Sequence, residues 1–414
     1  MAPRQQARSA VGLLFFALFF VLYFSMGEAL APSRLFGRAD LVLGTDVPRV
    51  IADLTRFDAN HYRTKVHPIF VILLNPLGLL LKELLGMPRL AAITMNAAFA
   101  ALGVALFHGV LRRWEVAAPR AALWSVLFGL SASQLFFGAV PETYAFSGAS
   151  LLLLFALFAS GGAAGWRFVA ASVFSFGMTV TNLAVAVWLR ALALADSGGL
   201  WPLIPRLVRY TAAVVGITAA LGMLQAWRYP RAKLFFGPAA LQEETQYAFL
   251  PAGPSDLARR AAYLAANGML FNLAAPTLHV DKIGHRYPVT TFARPGPGAL
   301  RPAGALHALL WLALVGAASA WATRQRLHRQ TRFQALIGCL GFHLALHFLY
   351  GETLFLYSCH WTFAVLALAA LVLEHWLGAR PGRATRAVSL LGALIALQAA
   401  NNAAFLSELY SIYR

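Results

Sequence analysis

Residues 11–31 read VGLLFFALFFVLYFSMGEALA, with Glu28 as the one charged side chain. Such a run supplies the ~20 apolar residues with which a helix crosses a bilayer. Arg4 and Arg8 precede it and no small-residue cleavage site follows. It therefore reads as a retained first helix with a cytoplasmic N-terminus, not as a cleaved signal. Similar runs recur through the 414 residues, of which 59% are hydrophobic and 12% charged, where about 25% charged is usual for a soluble domain. In lipid each run must close its own backbone hydrogen bonds, which favours helices, and the alternating pattern of an outer-membrane barrel is missing. The expected fold class is an all-α integral membrane protein.

The formal net charge of +18 does not make a nucleic-acid footprint. The cations sit in short links between apolar runs: Arg112, Arg113 and Arg120; Arg206 and Arg209; Arg324, Arg326, Arg329 and Arg332; Arg380, Arg383 and Arg386. That is the positive-inside pattern of a multi-pass chain. The two cysteines, Cys339 and Cys359, predict neither a disulfide framework nor a metal site.

With the N-terminus inside, residues 32–66 form a first outer loop. It carries Asp40, Asp46, Asp53 and Asp58 and, unusually for an outer loop, many cations. Residues 67–86 are apolar but interrupted by Pro76 and Gly78. A full crossing here would put every later loop on the wrong side for its charge, so the segment reads as a re-entrant or interfacial helix. Further spans are expected at 90–111, 121–140, 146–160, 166–181, 183–195 and 210–227, then at 306–323, 333–350, 360–377 and 387–405. With the first helix this makes about eleven transmembrane helices. The chain divides into an N-terminal transmembrane module (1–227), an outer loop subdomain with short helices (228–301) and C-terminal transmembrane helices (302–414). No internal repeat is visible, which argues against a repeated transporter architecture.

On this topology polar side chains collect on the outer side. Glu142, Tyr144, Asn182, Glu352, Tyr357 and His360 lie at or near outer helix tips, and ionisable groups at such places commonly line a cavity. His343 and His347, one turn apart, read as a polar seam between helices. The segments from Asp46 to Asp53, Lys65-Val66-His67-Pro68, Arg112-Arg113, Pro141-Glu142-Thr143-Tyr144 and Leu356-Tyr357-Ser358-Cys359-His360 resemble the GT-C superfamily of glycosyltransferases, family 39-like. The resemblance covers the first half of the chain and the late Tyr-Ser-Cys-His segment. Residues 228–301 match nothing in it, and the Asp-Glu pair of the family's protein mannosyltransferases has no counterpart here.

The resemblance implies a GT-C-like membrane enzyme, and the Ala- and Arg-rich composition suggests a high-GC bacterium, hence an inner membrane with a periplasmic active site. Such an enzyme would move a sugar from a polyprenyl-phosphate donor to a hydroxyl of an envelope glycan, glycolipid or protein. The residues allow that chemistry. A carboxylate takes the proton of the acceptor hydroxyl, with Asp46 the first choice and Asp53 the second. An isoprenoid phosphate leaves as a stable anion and needs cations, for which Arg49, Arg56, Arg63, Lys65, Arg286 and Arg294 are available. His67, Glu142, Tyr144, Glu352, Tyr357 and His360 complete the expected substrate-binding set. No cofactor is expected, metal included, and no phosphate-binding glycine loop is present. Plainer readings stand beside these. Asp46 and Asp53 suit helix caps or ion pairs, the loop cations suit anchorage to lipid headgroups, and Asp58 with Asn60 suits a turn. An O-antigen ligase-like transferase using a diphosphate carrier, a polytopic lipid or sugar transporter, and a non-catalytic scaffold are the rival functions.

Overall fold

The computed structural model describes residues 3–195, 200–281, 287–296 and 298–414; Arg286, one of the cations singled out above, lies outside them. The architecture is helical throughout, with one small hairpin. The first half holds α1 (Pro3–Leu30), α2 (Val47–Thr55), α3 (Phe70–Leu85), α4 (Pro88–Arg113), α5 (Ala118–Gly129), α6 (Ala132–Ala139), α7 (Thr143–Ala159), α8 (Trp166–Met178), α9 (Asn182–Leu194) and α10 (Leu200–Arg228). After it come α11 (Pro238–Glu244), α12 (Pro254–Ala266), the strands β1 (Leu278–Asp281) and β2 (Val289–Phe292), and α13 (Pro302–Arg324), α14 (Thr331–Leu349), α15 (Thr362–Gly378) and α16 (Ala384–Tyr413).

Among the described residues six helices are long and apolar enough to cross a membrane, and up to eight if each of two bent pairs is one span. The pairs are α5 with α6, bent by 59°, and the 3-10 helix Leu354–His360 with α15, bent by 52°. Helices α7 and α9 are apolar but shorter. The first helix shows how the spans pack. Its Phe19 and Tyr23 are buried while Leu13, Leu14, Leu18 and Val21 stay exposed, as a lipid-facing side requires. Gly138 and Gly129 leave the space that those two rings fill, since a β-carbon at Gly129 would lie 2.2 Å from the Phe19 ring.

The predicted span 121–140 is broken. At the break, the amides of Ala132 and Ser133 donate to the carbonyls of Leu273 and Asn272, and the Asn402 side chain donates to Leu130 O (2.9 Å) and Leu273 O (2.7 Å). Residues 271–275, all buried, run into the body of the bundle to make these bonds. The interval 228–301 holds α11, α12 and the two strands, and its residues 271–275 pack in the core of the bundle. Interrupted helices survive in a bilayer only where protein satisfies their freed backbone groups, as here.

Helix α3 runs unbroken through Pro76 and Gly78. The glycine serves packing, because a β-carbon there would lie 2.0 Å from Leu54 O of α2. Leu73, Leu77, Leu80 and Leu84 form an exposed apolar stripe along α3, suited to a helix at a lipid interface.

Connections segregate to two ends of the bundle. At one end Arg120 forms an ion pair with Glu374, Arg332 donates to Trp114 O and Trp321 donates to His375. At the other end lie the 31–69 loop, the 140–143 turn, the long interval and the 350–360 segment. The antiparallel hairpin β1–β2 stands there, and Leu43 and Thr290 exchange backbone bonds with the neighbouring strand (Leu43 N to Thr290 O, Thr290 N to Leu41 O, both 2.8 Å). Tyr413 Oη donates to Leu41 O (2.6 Å). These bonds hold Leu43 and Gly44 in left-handed conformations (φ 51° and 72°) and so set where α2 begins.

Candidate functional site

Asp46 occupies the N-cap position of α2, ahead of Val47-Pro48. Its side chain does not cap the helix. Arg49, one turn on, donates from Nε to Asp46 Oδ2 (2.6 Å) and from Nη1 to Asp53 Oδ2 (2.9 Å), so the shared helix face joins the two aspartates through a cation between them. From a distant stretch, Glu142 brings its Oε1 to the Asp46 amide and its Oε2 to 4.0 Å from Arg49 Nη2. Glu142 is itself the N-cap of α7, accepting from the Thr143 amide (3.1 Å), and its own amide donates to Asn96 Oδ1 (3.3 Å). Asn96 ties this turn down further by donating to the carbonyls of Phe137, Gly138 and Val140.

Access divides the carboxylates. The side chains of Asp53 and Glu142 are 4% and 3% exposed, that of Asp46 28%. Asp53 Oδ1 is also taken by His61 Nδ1 (2.8 Å). Asp46 Oδ1 has no hydrogen-bond partner among the described residues, whereas Oδ2 accepts from Arg49 and faces Tyr62 Oη (3.5 Å). Burial lowers the Arg49 pKa, but Asp53, Glu142 and Asp46 outweigh it and hold the guanidinium charged. Burial pushes the Glu142 carboxyl up, against the pull of Arg49.

The other first-loop cations are also engaged. Arg63 pairs with Glu244 (2.9 Å), and Lys65 with Glu243 (2.6 Å) and Glu244 (2.8 Å), while Tyr350 Oη donates to Glu244 (2.5 Å). Arg56 pairs with Asp58 at the surface. Of the cations expected to meet a phosphate, Arg49, Arg56, Arg63 and Lys65 therefore meet protein carboxylates. Glu243 and Glu244, in the long interval, belong to this end of the site although the sequence reading gave them no role. Their signal was the cation excess of the first loop, which calls for nearby acids.

His67 is a clamp. Its Nδ1 bonds Met178 O (2.6 Å) and its Nε2 faces Thr143 Oγ1 (3.4 Å), joining the end of α8 to the start of α7. Burial first, then Arg49 and Arg63, lower its pKa well below the ordinary imidazole value, so it stays neutral. Tyr144 stacks edge-on against Tyr357 (5.7 Å) and lies 6.1 Å from the His360 ring, whose Nε2 bonds Ser147 Oγ (2.8 Å). Asp46 thus meets Glu142 directly and Tyr144, Tyr357 and His360 pack together, while His67 bonds Thr143, the residue between Glu142 and Tyr144. Glu352 is exposed and opens instead onto a cavity of ≈ 660 Å³, lined also by Arg259, Arg260, Arg294, Asp256 and Tyr263. Thr353 beside it packs on Gly44, two residues from Asp46. Arg260 is spent on backbone: its guanidinium donates to the carbonyls of His347, Phe348, Tyr350 and Gly351 at the end of α14. Arg294 has no carboxylate partner among the described residues. Among the same residues His343, His347 and His360 are the one trio of side chains grouped closely enough to hold a metal.

Compared with known proteins, the chain matches no family model, no curated protein and no solved structure.

Proposed function

We propose that the chain is a membrane glycosyltransferase of GT-C-like architecture, with about eleven crossings of a bacterial inner membrane and its active site at the periplasmic end. The basic end, with Arg112, Arg113, Arg120 and Arg380, is then cytoplasmic, as is the N-terminus. The observation that carries the reading is the meeting of Asp46, Arg49, Asp53 and Glu142, from two distant stretches, at the end of a bundle of apolar helices. A lipid-linked substrate reaches such a place with its tail in the bilayer and its headgroup at the polar end.

In the reaction, Asp46 accepts the proton of an acceptor hydroxyl. The hydroxyl oxygen forms a bond to the anomeric carbon of the sugar, and the carbon–oxygen bond to the polyprenyl phosphate breaks with its electron pair on the phosphate. Arg49 and, through it, Asp53 hold the Asp46 carboxylate in place; His61 fixes Asp53 in turn. Arg294, in the neighbouring cavity, is the cation best placed for the anionic headgroup, since Arg49, Arg63 and Lys65 are already paired and Arg259 is engaged by Asp256. The acceptor is a glycan, glycolipid or protein hydroxyl. The test is transfer of sugar from a polyprenyl-phosphate donor by membranes carrying Asp46→Asn. Loss of a general base typically costs about 10²–10⁴-fold in rate, and full activity in a folded Asp46→Asn protein overturns the assignment.

A lipid or sugar transporter is the second reading, favoured by the two bent helix pairs, because discontinuous helices are a mark of transporter binding sites. Flux of a lipid-linked sugar into sealed vesicles without a new glycosidic product would select it.

A further inference from the structure

We propose that His343, His347 and His360 form a three-imidazole site for a divalent transition metal, Zn²⁺ by ligand type, beside the carboxylate cluster but separate from it. The three come from two elements, α14 and the bent 3-10 helix before α15, and all are buried. Their ligand atoms lie within 4.8 Å of one another, and ring centroids are 5.1 Å (His343–His360), 6.2 Å (His343–His347) and 6.4 Å (His347–His360) apart. Tetrahedral zinc with Zn–N bonds of about 2.0–2.1 Å brings its nitrogens to roughly 3.3 Å from each other, so the rings, now nearly parallel, must turn and draw in from the 4.8 Å span to bind it.

The nitrogens are distributed as a metal site needs. His347 Nε2, His360 Nδ1 and both ring nitrogens of His343 find no hydrogen-bond partner among the described residues. Buried polar atoms are nearly always paired, so an orphan nitrogen on each of three neighbouring rings asks for a common partner, one nitrogen per ring. The opposite nitrogens of two rings are anchored: His347 Nδ1 faces Tyr350 O (3.4 Å) and His360 Nε2 bonds Ser147 Oγ (2.8 Å). Ligating histidines characteristically use their second nitrogen in this way to fix the ring. Tyr357 covers His347 with ring centroids 4.0 Å apart. Three protein ligands leave a fourth position for water or a substrate group. The proposal does not rest on the transferase reading and parts from the metal-free expectation of the sequence at this cluster alone.

The test uses the full chain in detergent, purified through a tag without histidine. About one equivalent of zinc per chain is expected by elemental analysis after chelator-free purification, and loss of most of it in His343→Gln and His347→Gln. Ser147→Ala, which leaves all three ligands in place, is expected to weaken binding about 10–100-fold. Metal-stripped wild type titrated with Co²⁺ alone should develop the visible absorption of a four-coordinate ion, which keeps the test valid if a variant fails to fold. Wild-type zinc no higher than that of the histidine variants, or a Co²⁺ titration without that absorption, overturns the site.

Discussion

Arg49 is the residue on which the cluster depends. Three carboxylates face it, and its side chain is 11% exposed, so little solvent screening remains. Removing one partner of a buried charge network costs about 3–5 kcal/mol because the others are left uncompensated. Arg49→Met should therefore lower the unfolding temperature in detergent markedly, and adding Glu142→Gln should recover part of the loss. Wild-type stability in Arg49→Met alone would mean that the carboxylates do not need the cation. The Glu243 and Glu244 group makes a prediction about acid. Hydrogen bonds from Lys233 and Lys65 lower Glu243 from 4.5 to about 2; burial raises Glu244, but Arg63 and Lys65 outweigh it and lower it too. A carboxyl depressed in the folded state stabilises above its unfolded pKa and loses that contribution as pH falls through the folded one. Docking of α11 onto the first loop should thus hold down to about pH 4.5 and loosen toward about 2. Glu142, raised by burial, acts in the opposite sense: its contribution is present below 4.5 and fades as pH rises through its folded value. A dye attached at Gln242→Cys reports the first effect, and a signal flat across the acid window would contradict it.

The break between α5 and α6 is held by Asn402, one residue of α16. Its Nδ2 donates to Leu130 O and Leu273 O and its Oδ1 accepts from the Ala275 amide (2.9 Å). A buried backbone group left unpaired costs about 1–3 kcal/mol. Asn402→Leu should destabilise by about that much for each group it orphans, with Asn402→Asp intermediate because its oxygen still serves Ala275. Thermal unfolding of the three proteins in detergent gives the order, and an Asn402→Leu protein as stable as wild type would remove Asn402 from this role. The bend itself was not legible in the sequence. Residues 121–140 carry no charge, and although Gly129, Ser131, Ser133 and Gln134 cluster at the break, they do not tell whether a neighbour offers carbonyls that let the chain turn. The same limit hid the inward course of 271–275, whose apolar side chains look alike in a loop and in a core. The reverse held for α3, where Pro76 and Gly78 suggested interruption. A proline forfeits one backbone bond without ending a helix that tertiary packing supports, and Gly78 turned out to be the contact point with Leu54.

At the scale of the molecule, what could be read early was the segregation of charge, because it follows from where each short link lies along an alternating chain. The links with Arg112, Arg113, Arg324 and Arg380 do gather at one end, and Asp46, Glu142 and the 350–360 segment at the other. Pairings across that second end could not be read. Glu142 lies 96 positions from Asp46 and Glu244 lies 181 from Arg63, and nothing local joins them. Which end faces the cytoplasm is the prediction that governs the rest, since a periplasmic transferase needs Asp46 outside. Cys339 and Cys359 are buried, so the natural chain is silent toward an impermeant maleimide. Gly37 and Gly253 at the acid-rich end, and Gly382 at the basic end, have open space around them and accept cysteine without strain. In intact spheroplasts Gly37→Cys and Gly253→Cys should label, and Gly382→Cys only after permeabilisation. The reverse pattern would put the carboxylate cluster in the cytoplasm, where nucleotide-activated sugars are at hand and a polyprenyl-phosphate donor loses its rationale. Labelling of Gly37→Cys and Gly253→Cys from opposite sides would go further and separate the first loop from the long interval that pairs with it through Arg63 and Lys65.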